Sequence, residues 1–569
     1  MLPGSVLHEP RLNYSDPAEP VTGAASRVHE PEKQLPEFSV IIPTRRRPDT
    51  LRHALQTAVA QDYPDTEIIV HEVGDDPLTA QVVAETGDHR TRHVKTDHHV
   101  SMSENWERAV WSATGRYLTM IGDDDGILPT ACSNAARVLE RFPSELLTWR
   151  PAAYFWPSSL VAGRRNRLQA YIPQASGCER QVPRSLLELA YRFQAHHYTM
   201  PMILHSFVSR ELIDRVKGSL GSYFHSTAPD IASGVADAFH GSSCILVHRP
   251  MSISGLSHHS TGSRLHFTQD ASLRQEAEEA AFDALDFHRS LPDSRNSILF
   301  AANEMLIMKQ RLFPDTDPAI DYVNLIQRAL DSLNAGLDDY ETGLADIRRT
   351  ASLNGIDMER FMIPPPPPET APPPTGVKAL GCDSLVIDID CSRVGLCNVA
   401  DATRLLSGLL PPFEPPVELP APSGPVRTLS PGIVDFSSRG NGGLALRSGW
   451  DEPESWGVWS IAKRADVVFD LDTRGDRPRS IRIEGRMFVH PKFPRATGSV
   501  ALNGRRPSPI EASWGQPIVV VELEVSRGDV RHGRVVIEFR IDEPINAAAH
   551  GLSVDRRHLG FGLERMLVR

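Results

Sequence analysis

Short apolar runs alternate with amphipathic stretches in the first part of the chain, and this alternation limits the fold more than any other feature. Residues 38–42 form an apolar, β-branched run, residues 49–61 carry apolar side chains at helical spacing, and residues 67–70 form a second apolar run. Parallel strands need a crossover connection, and the helix between these two runs supplies one. We therefore expect the two strands to pair in parallel. The pattern continues with a run at 117–121 and a helical stretch after Pro129. The sequence therefore predicts a doubly wound α/β sheet.

Polar clusters follow three strands of this predicted sheet, at residues 44–47, 72–76 and 123–125. In open α/β sheets, ligands bind beyond the carboxyl ends of the strands. We therefore expect the three clusters to face one crevice.

The densest cluster is Asp123-Asp124-Asp125, which lies between Gly122 and Gly126. Adjacent carboxylates repel one another and resist joint ionisation. A hard divalent cation with oxygen ligands relieves this repulsion and can bridge to a diphosphate, where it acts as a Lewis acid for a departing nucleotide. The alternative is an acidic turn that interacts with the positive end of the following helix.

Four motifs follow one another in the order Val40-Ile41-Ile42-Pro43-Thr44, Arg47-Pro48, Ile68-Ile69-Val70 and the stretch 117–129 around the aspartates. This order resembles glycosyltransferase family 2 and extends over roughly residues 37–260. The resemblance implies a GT-A fold, a nucleotide-sugar bound across the strand ends, and an acidic Asp-x-Asp type motif that holds Mn or Mg.

The resemblance also implies a donor-binding set at the strand ends, which comprises Pro43, Thr44, Arg47, Glu72 and Asp123. Asp124 or Asp125 corresponds to the metal ligand, and spacing leaves the choice open. The family usually has an acidic pair after the second strand for the donor base, whereas Val73 replaces the second acid here. The planar fork of arginine suits phosphate. The alternatives are an exposed basic loop for Arg47 and a solvated strand end for Glu72.

An inverting sugar transfer needs a general base that removes the proton from the acceptor hydroxyl. Asp230 opens an apolar helical stretch in Ala228-Pro229-Asp230-Ile231. This place resembles the acidic position that family members use as the base. The alternative, a helix N-cap, is compatible with that role.

A histidine pair, His258-His259, follows the predicted strand 251–254 in a loop rich in glycine and serine. Either His258 or His259 is therefore a candidate third ligand for the metal or the diphosphate, and we select His259. The alternative is a pair of hydrogen-bonded loop histidines.

Composition changes along the chain predict five segments. A run of prolines at 364–368 favours an extended polyproline segment and marks a boundary. The segments are a flexible arm (1–36), a GT-A catalytic domain (37–265), a helical region (266–362), a proline-rich linker (363–378) and an antiparallel β-sandwich (379–569).

Trp450, Trp456 and Trp459 cluster in the predicted sandwich, which resembles β-sandwich modules appended to bacterial polysaccharide-building enzymes. Aromatic faces can stack on sugar rings, so binding of an acceptor glycan is one interpretation of these tryptophans, although tryptophan in a sandwich more commonly packs in the core. Packing in the sandwich core is the alternative.

The charge balance argues against nucleic-acid binding, because 60 basic and 72 acidic residues give a net charge of -12. No apolar run approaches the roughly 18 residues needed to span a bilayer, and the start of the chain lacks the apolar core of a secretory signal. We expect a cytoplasmic protein that can act at the inner face of the membrane through peripheral contact.

Together these features predict an inverting, metal-dependent glycosyltransferase of the hexosyl type. Its donor is a nucleotide-sugar, its acceptor is a glycan or a lipid-linked molecule, and its pathway is the synthesis of a bacterial surface polysaccharide. A sugar nucleotidyltransferase would carry a glycine-rich loop after the first strand, where this chain has Pro43-Thr44-Arg45-Arg46-Arg47. The alternative is a glycan-binding or scaffold protein with a decayed transferase domain.

Overall fold

The predicted alternation of strands and helices is present in the computed structural model. Because the arm predicted at 1–36 falls almost entirely outside the described residues, it stays a prediction. The structure describes residues 35–161, 163–173, 177–266, 270, 272, 275, 287–334, 339–366, 376–380, 384–419, 428–429, 432–437, 440–447, 449–451, 453–471, 479–525, 534–553, 555 and 557–569.

Among the described residues up to 266, the chain forms twelve strands and eight α-helices. The strands are β1 (Phe38–Thr44), β2 (Thr66–Val73), β3 (Thr91–Thr96), β4 (Tyr117–Met120), β5 (Gly126–Ile127), β6 (Leu146–Trp149), β7 (Ala152–Phe155), β8 (Arg167–Pro173), β9 (Cys178–Gln181), β10 (Ser206–Ser209), β11 (Cys244–Val247) and β12 (Ser252–Leu256). The helices are α1 (Pro48–Val59), α2 (Pro77–Glu85), α3 (Met102–Ser112), α4 (Ala131–Arg141), α5 (Pro183–Tyr191), α6 (Arg210–Leu220), α7 (Pro229–His240) and α8 (Thr261–His266).

The central sheet has the strand order β3-β2-β1-β4-β10-β6-β11-β9. β1 pairs in parallel with both β2 and β4, with Thr44 opposite Glu72 and Ile41 opposite Met120. The carboxyl ends of these three strands therefore meet at one edge, which places the residues after β4 beside Thr44.

Both faces of the central sheet are covered, which explains why β1 is apolar along almost its whole length. Successive side chains of a strand point to opposite faces. Val40 and Ile42 accordingly pack in one core with Leu55 of α1 and Val138 of α4. Ile41 belongs to a second core on the other face.

The helical region shares this second core. Its helices are α9 (Ser297–Leu312), α10 (Tyr322–Asn334) and α11 (Tyr340–Leu353). Leu299, Met305 and Leu325 of these helices belong to the same buried cluster as Ile41. The helices therefore complete the α/β part rather than form a core of their own.

The chain after the proline run returns to the α/β part. β13 (Gly376–Leu380) and β14 (Ser384–Asp390) extend a smaller sheet of order β13-β14-β8-β7-β12-β5, and α12 (Val399–Leu409) packs against β12 and β5. Arg167 of β8 holds Asp388 of β14 with a 2.8 Å hydrogen bond. This segment lies within the sandwich range predicted from residue 379, but its contacts are with the first sheet system, because the pattern of a short strand does not identify its partner.

The remaining strands are β15 (Thr428–Leu429), β16 (Gly432–Asp435), β17 (Val458–Trp459), β18 (Arg464–Leu471), β19 (Ser480–Met487), β20 (Arg495–Leu502), β21 (Ser508–Ser513), β22 (Ile518–Glu524), β23 (Arg534–Ile541), β24 (Ile545–Asn546), β25 (His558–Leu559) and β26 (Phe561–Val568). Most of them form the predicted β-sandwich, whose sheets have the orders β15-β18-β23-β20-β21 and β16-β26-β19-β22 and bury Val467, Ile481, Phe539 and Phe561 between them. The pairing is antiparallel except between β15 and β18, which are parallel, and β24 and β25 form a separate pair. Short 3₁₀ helices lie at His197–Thr199, Ile203–His205, Met358–Arg360, Cys391–Val394 and Gly443–Ala445.

None of the helices among the described residues is both long enough and apolar enough to cross a bilayer.

Candidate active site

Asp123 is held by two donors from the start of the chain. It is buried at the carboxyl end of β4, where Thr44 Oγ1 donates to Oδ2 over 2.8 Å and Arg47 Nη1 donates to Oδ1 over 3.1 Å. Pro43 precedes Thr44 at the buried end of β1. Burial opposes the charge of Arg47, but the carboxylates of Asp123 and Asp124 outweigh it and raise the pKa of the guanidinium. Three of the predicted donor-binding residues, Thr44, Arg47 and Asp123, are therefore in contact.

Asp124 is bound by the loop that follows β12. Ser257 donates to Asp124 Oδ2 from its backbone nitrogen over 3.2 Å and from its hydroxyl over 2.6 Å. The indole of Trp156 donates to the backbone carbonyl of Asp124 over 3.0 Å. Burial and the charge of Asp123 raise the pKa of Asp124 to about 6. The hydrogen bonds from Ser257 thus fix the orientation of the carboxylate. Burial and the charge of Asp123 make its ionised form less stable.

Asp125 accepts two backbone hydrogen bonds. Gly122 donates to Oδ2 over 2.7 Å, and Gly255 donates to Oδ1 over 2.6 Å. Burial and the charge of Asp124 raise the pKa of Asp125 to about 7. A Cβ at position 255 would lie 1.8 Å from the carbonyl oxygen of Asp124, so only glycine permits this approach.

The pairing of β5 with β12 explains these contacts. β5 directly follows Asp125 and pairs antiparallel to β12, with Gly126 opposite Ile253. This register brings the end of β12 beside the aspartates. Arg47 extends the connection, since its Nη2 lies 3.5 Å from Thr261 Oγ1 at the start of α8. The aspartates, Arg47 and the loop after β12 therefore form one site.

The same loop brings His258 and His259 to Asp49 at the start of α1. The Nε2 atom of His259 lies 3.3 Å from Asp49 Oδ2, and the two imidazole rings are 3.8 Å apart. One ligand atom from each of the three residues lies within 4.8 Å of the others. Within the described part of the chain, His258 Nδ1 is buried and has no hydrogen-bond partner in the protein. An orphaned imidazole nitrogen beside a second imidazole and a carboxylate fits a divalent cation.

Glu72 has a different environment from the other predicted donor-binding residues. Its carboxylate is fully buried, accepts the backbone N–H of Asp76 at Oε1 over 2.8 Å, and lies 2.9 Å from His93 Nε2 at Oε2. The exposed acid at this strand end is Asp75, which is paired with Lys95 at 2.6 Å. The predicted contact between Glu72 and a donor base stays a prediction, and in this structure the carboxylate orders the turn to α2.

Asp230 lies in the first turn of α7. The N-cap of this helix is Ala228, so Asp230 is not the capping residue. Burial raises the pKa of Asp230 to about 6, and the charge of Glu304 adds to the effect. A carboxylate with this pKa can accept a proton at neutral pH.

Tyr198 was not identified from the sequence and lies in the short 3₁₀ helix His197–Thr199. Its side chain is exposed and its ring stacks 4.9 Å from that of His196. The surrounding protein raises the pKa of its hydroxyl, and the charges of Asp230 and Asp125 add to the effect. Only the aromatic run 196–198 could have signalled this residue.

Comparison with known proteins bears on the first part of this site. Residues 39–204 match the family model described as Glycosyl transferase family 2, a range that contains Asp123, Asp124 and Asp125 and ends before Asp230 and the loop after β12. The GalNAc(5)-diNAcBac-PP-undecaprenol beta-1,3-glucosyltransferase of Campylobacter jejuni is 30% identical over 102 residues, which are 17% of this chain and 33% of the relative. The matched stretch thus spans about a third of the length of that relative.

Solved structures with a similar arrangement include S. aureus TarS 1-349 in complex with UDP-GlcNAc, with 15% identity, a TM-score of 0.32, and coverage of 57% of this chain and 94% of that one. The mannosyltransferase PcManGT from Pyrobaculum calidifontis, in complex with GDP-Man and Mn2+, has 15% identity, a TM-score of 0.31, and coverage of 57% and 87%. S. aureus TarS has 13% identity, a TM-score of 0.31, and coverage of 89% and 72%.

Proposed function

We propose that this protein is an inverting glycosyltransferase that moves a sugar from a nucleoside-diphosphate-sugar to a hydroxyl of a glycan or lipid-linked acceptor, in the synthesis of a bacterial surface polysaccharide. One observation supports this most. Within the segment that matches glycosyl transferase family 2, Asp123, Asp124 and Asp125 lie at the carboxyl edge of the sheet, and each is held by donors from elsewhere in the site. The undecaprenol-linked glycan in the name of the Campylobacter relative supports a lipid-linked acceptor.

The donor would bind along the ends of β1 and β4. Arg47 keeps its positive charge because Asp123 and Asp124 stabilise it, and a guanidinium recognises phosphate through paired hydrogen bonds. Thr44 and Arg47 together hold Asp123 in one orientation. A nucleotide would therefore meet a preorganised polar edge and would not have to order it on binding.

Asp230 would act as the general base. Its carboxylate takes the proton of the acceptor hydroxyl while that oxygen attacks the anomeric carbon of the donor sugar. The new carbon–oxygen bond forms as the bond from the anomeric carbon to the diphosphate oxygen breaks, and the nucleoside diphosphate leaves with the electron pair. Attack opposite to the leaving group inverts the anomeric carbon.

A divalent cation would be held near the diphosphate, where it offsets the charge of the leaving group. Two ligand sets are candidates. Asp124 and Asp125 with His259 are the set predicted from the sequence, while Asp49, His258 and His259 have ligand atoms already within 4.8 Å. Two imidazoles and one carboxylate suit Mn²⁺ better than Mg²⁺, which prefers oxygen ligands.

The activity test is donor cleavage. The full chain is incubated with Mn²⁺ and, in separate reactions, UDP-glucose, UDP-N-acetylglucosamine, UDP-galactose or GDP-mannose, and released nucleotide is measured. We expect turnover of at least one donor, and we expect Asp125→Asn to remove it while Asp97→Asn, at an exposed aspartate outside the site, leaves it unchanged. If no donor is cleaved and calorimetry detects no nucleotide binding, the decayed glycan-binding alternative is favoured.

The ligand test compares the two candidate metal sets by calorimetric titration with Mn²⁺ in the presence of UDP. Asp49→Asn and His258→Ala should each weaken Mn²⁺ binding at least tenfold if the histidine set holds the ion. If those variants bind Mn²⁺ normally and Asp124→Asn does not, the ion is held by the aspartates.

A further inference from the structure

The three tryptophans at the start of the sandwich have different environments. Trp450 is buried, with its ring packed edge-on against Phe539 and its indole N–H donating to the carbonyl of Asp466 over 2.9 Å. Trp456 and Trp459 lie outside the core, with their rings 5.1 Å apart. The core-packing alternative therefore applies to Trp450 and leaves the other two for another role.

Trp459 lines a pocket at one end of the sandwich. The pocket has a volume of about 440 Å³, which lies in the usual range for small-ligand sites. It is formed by residues around β17, at and after the end of β19, and by the turn between β21 and β22. We call it the indole pocket, and its walls are Trp459, Met487, Phe488, Val489, Trp514 and Pro517.

The turn between β21 and β22 presents Trp514 to solvent. Ser513 and Gln516 close the turn with hydrogen bonds of 3.2 and 2.8 Å, and the backbone N–H of Trp514 donates to the carbonyl of Pro494 over 2.7 Å. Gly515 has a φ of +97°, which glycine adopts without strain. Trp514 is nevertheless 58% exposed. A large apolar ring is thus held outside the core by a fixed backbone.

The tryptophans of the sandwich differ in whether their indole N–H has an acceptor. Trp450 and Trp456 donate to Asp466 and Glu454 respectively. In contrast, among the residues that the structure describes, no acceptor is in hydrogen-bond contact with the indole N–H of Trp459 or Trp514. None of the residues that line the pocket carries a charge. The lining residues therefore supply aromatic rings and carry two neutral hydrogen-bond donors that have no acceptor in the described part of the chain.

We propose that the indole pocket is a binding site for a neutral saccharide. A sugar ring offers a C–H face that packs on an aromatic ring, and hydroxyls at its edge that accept hydrogen bonds from indole N–H groups. A lipid chain or an aliphatic protein side chain would cover the rings but would leave the two donors without acceptors, which costs free energy on burial. An anionic glycan would find no cation among the pocket walls.

The saccharide-binding proposal can be tested separately from sugar transfer, because saccharide binding needs no nucleotide-sugar donor. If the proposed transferase function is correct, the pocket would bind the glycan part of the acceptor and raise the effective concentration of its reactive end near Asp230.

The test is a titration of the full chain with cellotetraose, chitotetraose and mannotetraose. Binding is measured by tryptophan fluorescence and by isothermal calorimetry. We expect at least one of the three to bind, and Trp514→Ala to weaken that binding at least tenfold. Trp514→Phe, which keeps a ring but removes the N–H, should give an intermediate loss. Ile518→Ala is the control, because Ile518 is 71% exposed on the adjacent strand but does not line the pocket.

Two results would overturn the proposal: none of the three saccharides binds, or Trp514→Ala binds as tightly as the unchanged chain. Thermal unfolding of each variant checks that the sandwich remains folded. Saccharide binding by Asp230→Asn separates this proposal from the transferase function, since that variant should lose transfer and keep the pocket. Transfer activity without saccharide binding would reject the pocket alone, and saccharide binding without any donor cleavage would reject the transferase alone.

Discussion

The acidic site at the edge of the central sheet and the indole pocket of the sandwich differ in whether their polar groups have hydrogen-bond partners. In the acidic site, the carboxylates accept hydrogen bonds from Thr44, Ser257 and Gly255. In the indole pocket, two N–H groups have no acceptor among the described residues and the walls carry no charge. The first site therefore orients charged groups, whereas the second offers neutral surfaces.

The largest expected effect is the loss of sugar transfer in Asp230→Asn. A positioned general base typically contributes about 10²–10⁴ in rate, so the transfer rate should fall by that factor. Nucleotide binding and saccharide binding should each stay within about twofold, because the change preserves the shape of the side chain. Single-turnover transfer and calorimetry measure these quantities. Transfer at the original rate would show that another group is the base.

The next effect is a loss of stability that should differ between two tryptophans of the sandwich. Trp450 is 1% exposed, and its replacement by alanine should lower the free energy of unfolding by about 3–5 kcal/mol. Trp514→Ala should change that free energy by about 0.5 kcal/mol or less, because the ring is on the surface. Denaturant unfolding of both variants gives the values. Equal losses would mean that Trp514 is structural, which would weaken its assignment to a ligand site.

A smaller effect is expected at Gly255, where an added Cβ meets the carbonyl of Asp124 at 1.8 Å. Gly255→Ala should destabilise the protein by about 1–3 kcal/mol through overpacking, and it should also reduce donor cleavage by displacing Asp125. The control is Gly262→Ala, since a Cβ at Gly262 meets nothing within 4 Å. Thermal unfolding and the donor assay compare the two. Similar behaviour of the two variants would contradict the tight contact.

The smallest effect is a pH dependence, which we expect for the transfer rate at the acidic site and not for saccharide affinity at the indole pocket. Burial raises the pKa of Asp230 to about 6, and only the ionised carboxylate accepts a proton. The pKa values of Asp124 and Asp125 are raised into the same range, so the transfer rate should be nearly full at pH 8 and should fall at least tenfold by pH 5. Saccharide affinity of the uncharged pocket should stay constant over the same range. A rate that rises on acidification would exclude Asp230 as the base.

The repeating local patterns predicted the strands and helices correctly. The run at 38–42 is β1, the amphipathic stretch at 49–61 contains most of α1, and the apolar run at 67–70 lies within β2. Each pattern repeats with the period of its own strand or helix, so it can be recognised without knowing which elements lie beside it. The run of aspartates at the end of β4 belongs to the same class, because sequence order alone puts it after a strand.

Partners that are distant in sequence could not be predicted in the same way. His259 approaches Asp49 across 210 positions, and β14 pairs with β8 although it follows the proline run. A strand's own residues show which face is buried but do not identify the neighbouring strand. The predicted boundary at residue 379 and the omission of Asp49 and Tyr198 have this common cause.

The order of residues was enough to indicate the kinds of chemistry available: consecutive carboxylates after a parallel strand, arginines after another, and tryptophans in a sandwich. The folded chain was needed to show that Glu72 is buried against His93, that Asp125 is bound by Gly255, and that Trp514 is exposed while Trp450 is not. The type of a side chain fixes what a residue can donate, accept or bury. Its partners and its exposure are set by contacts between segments far apart in the chain.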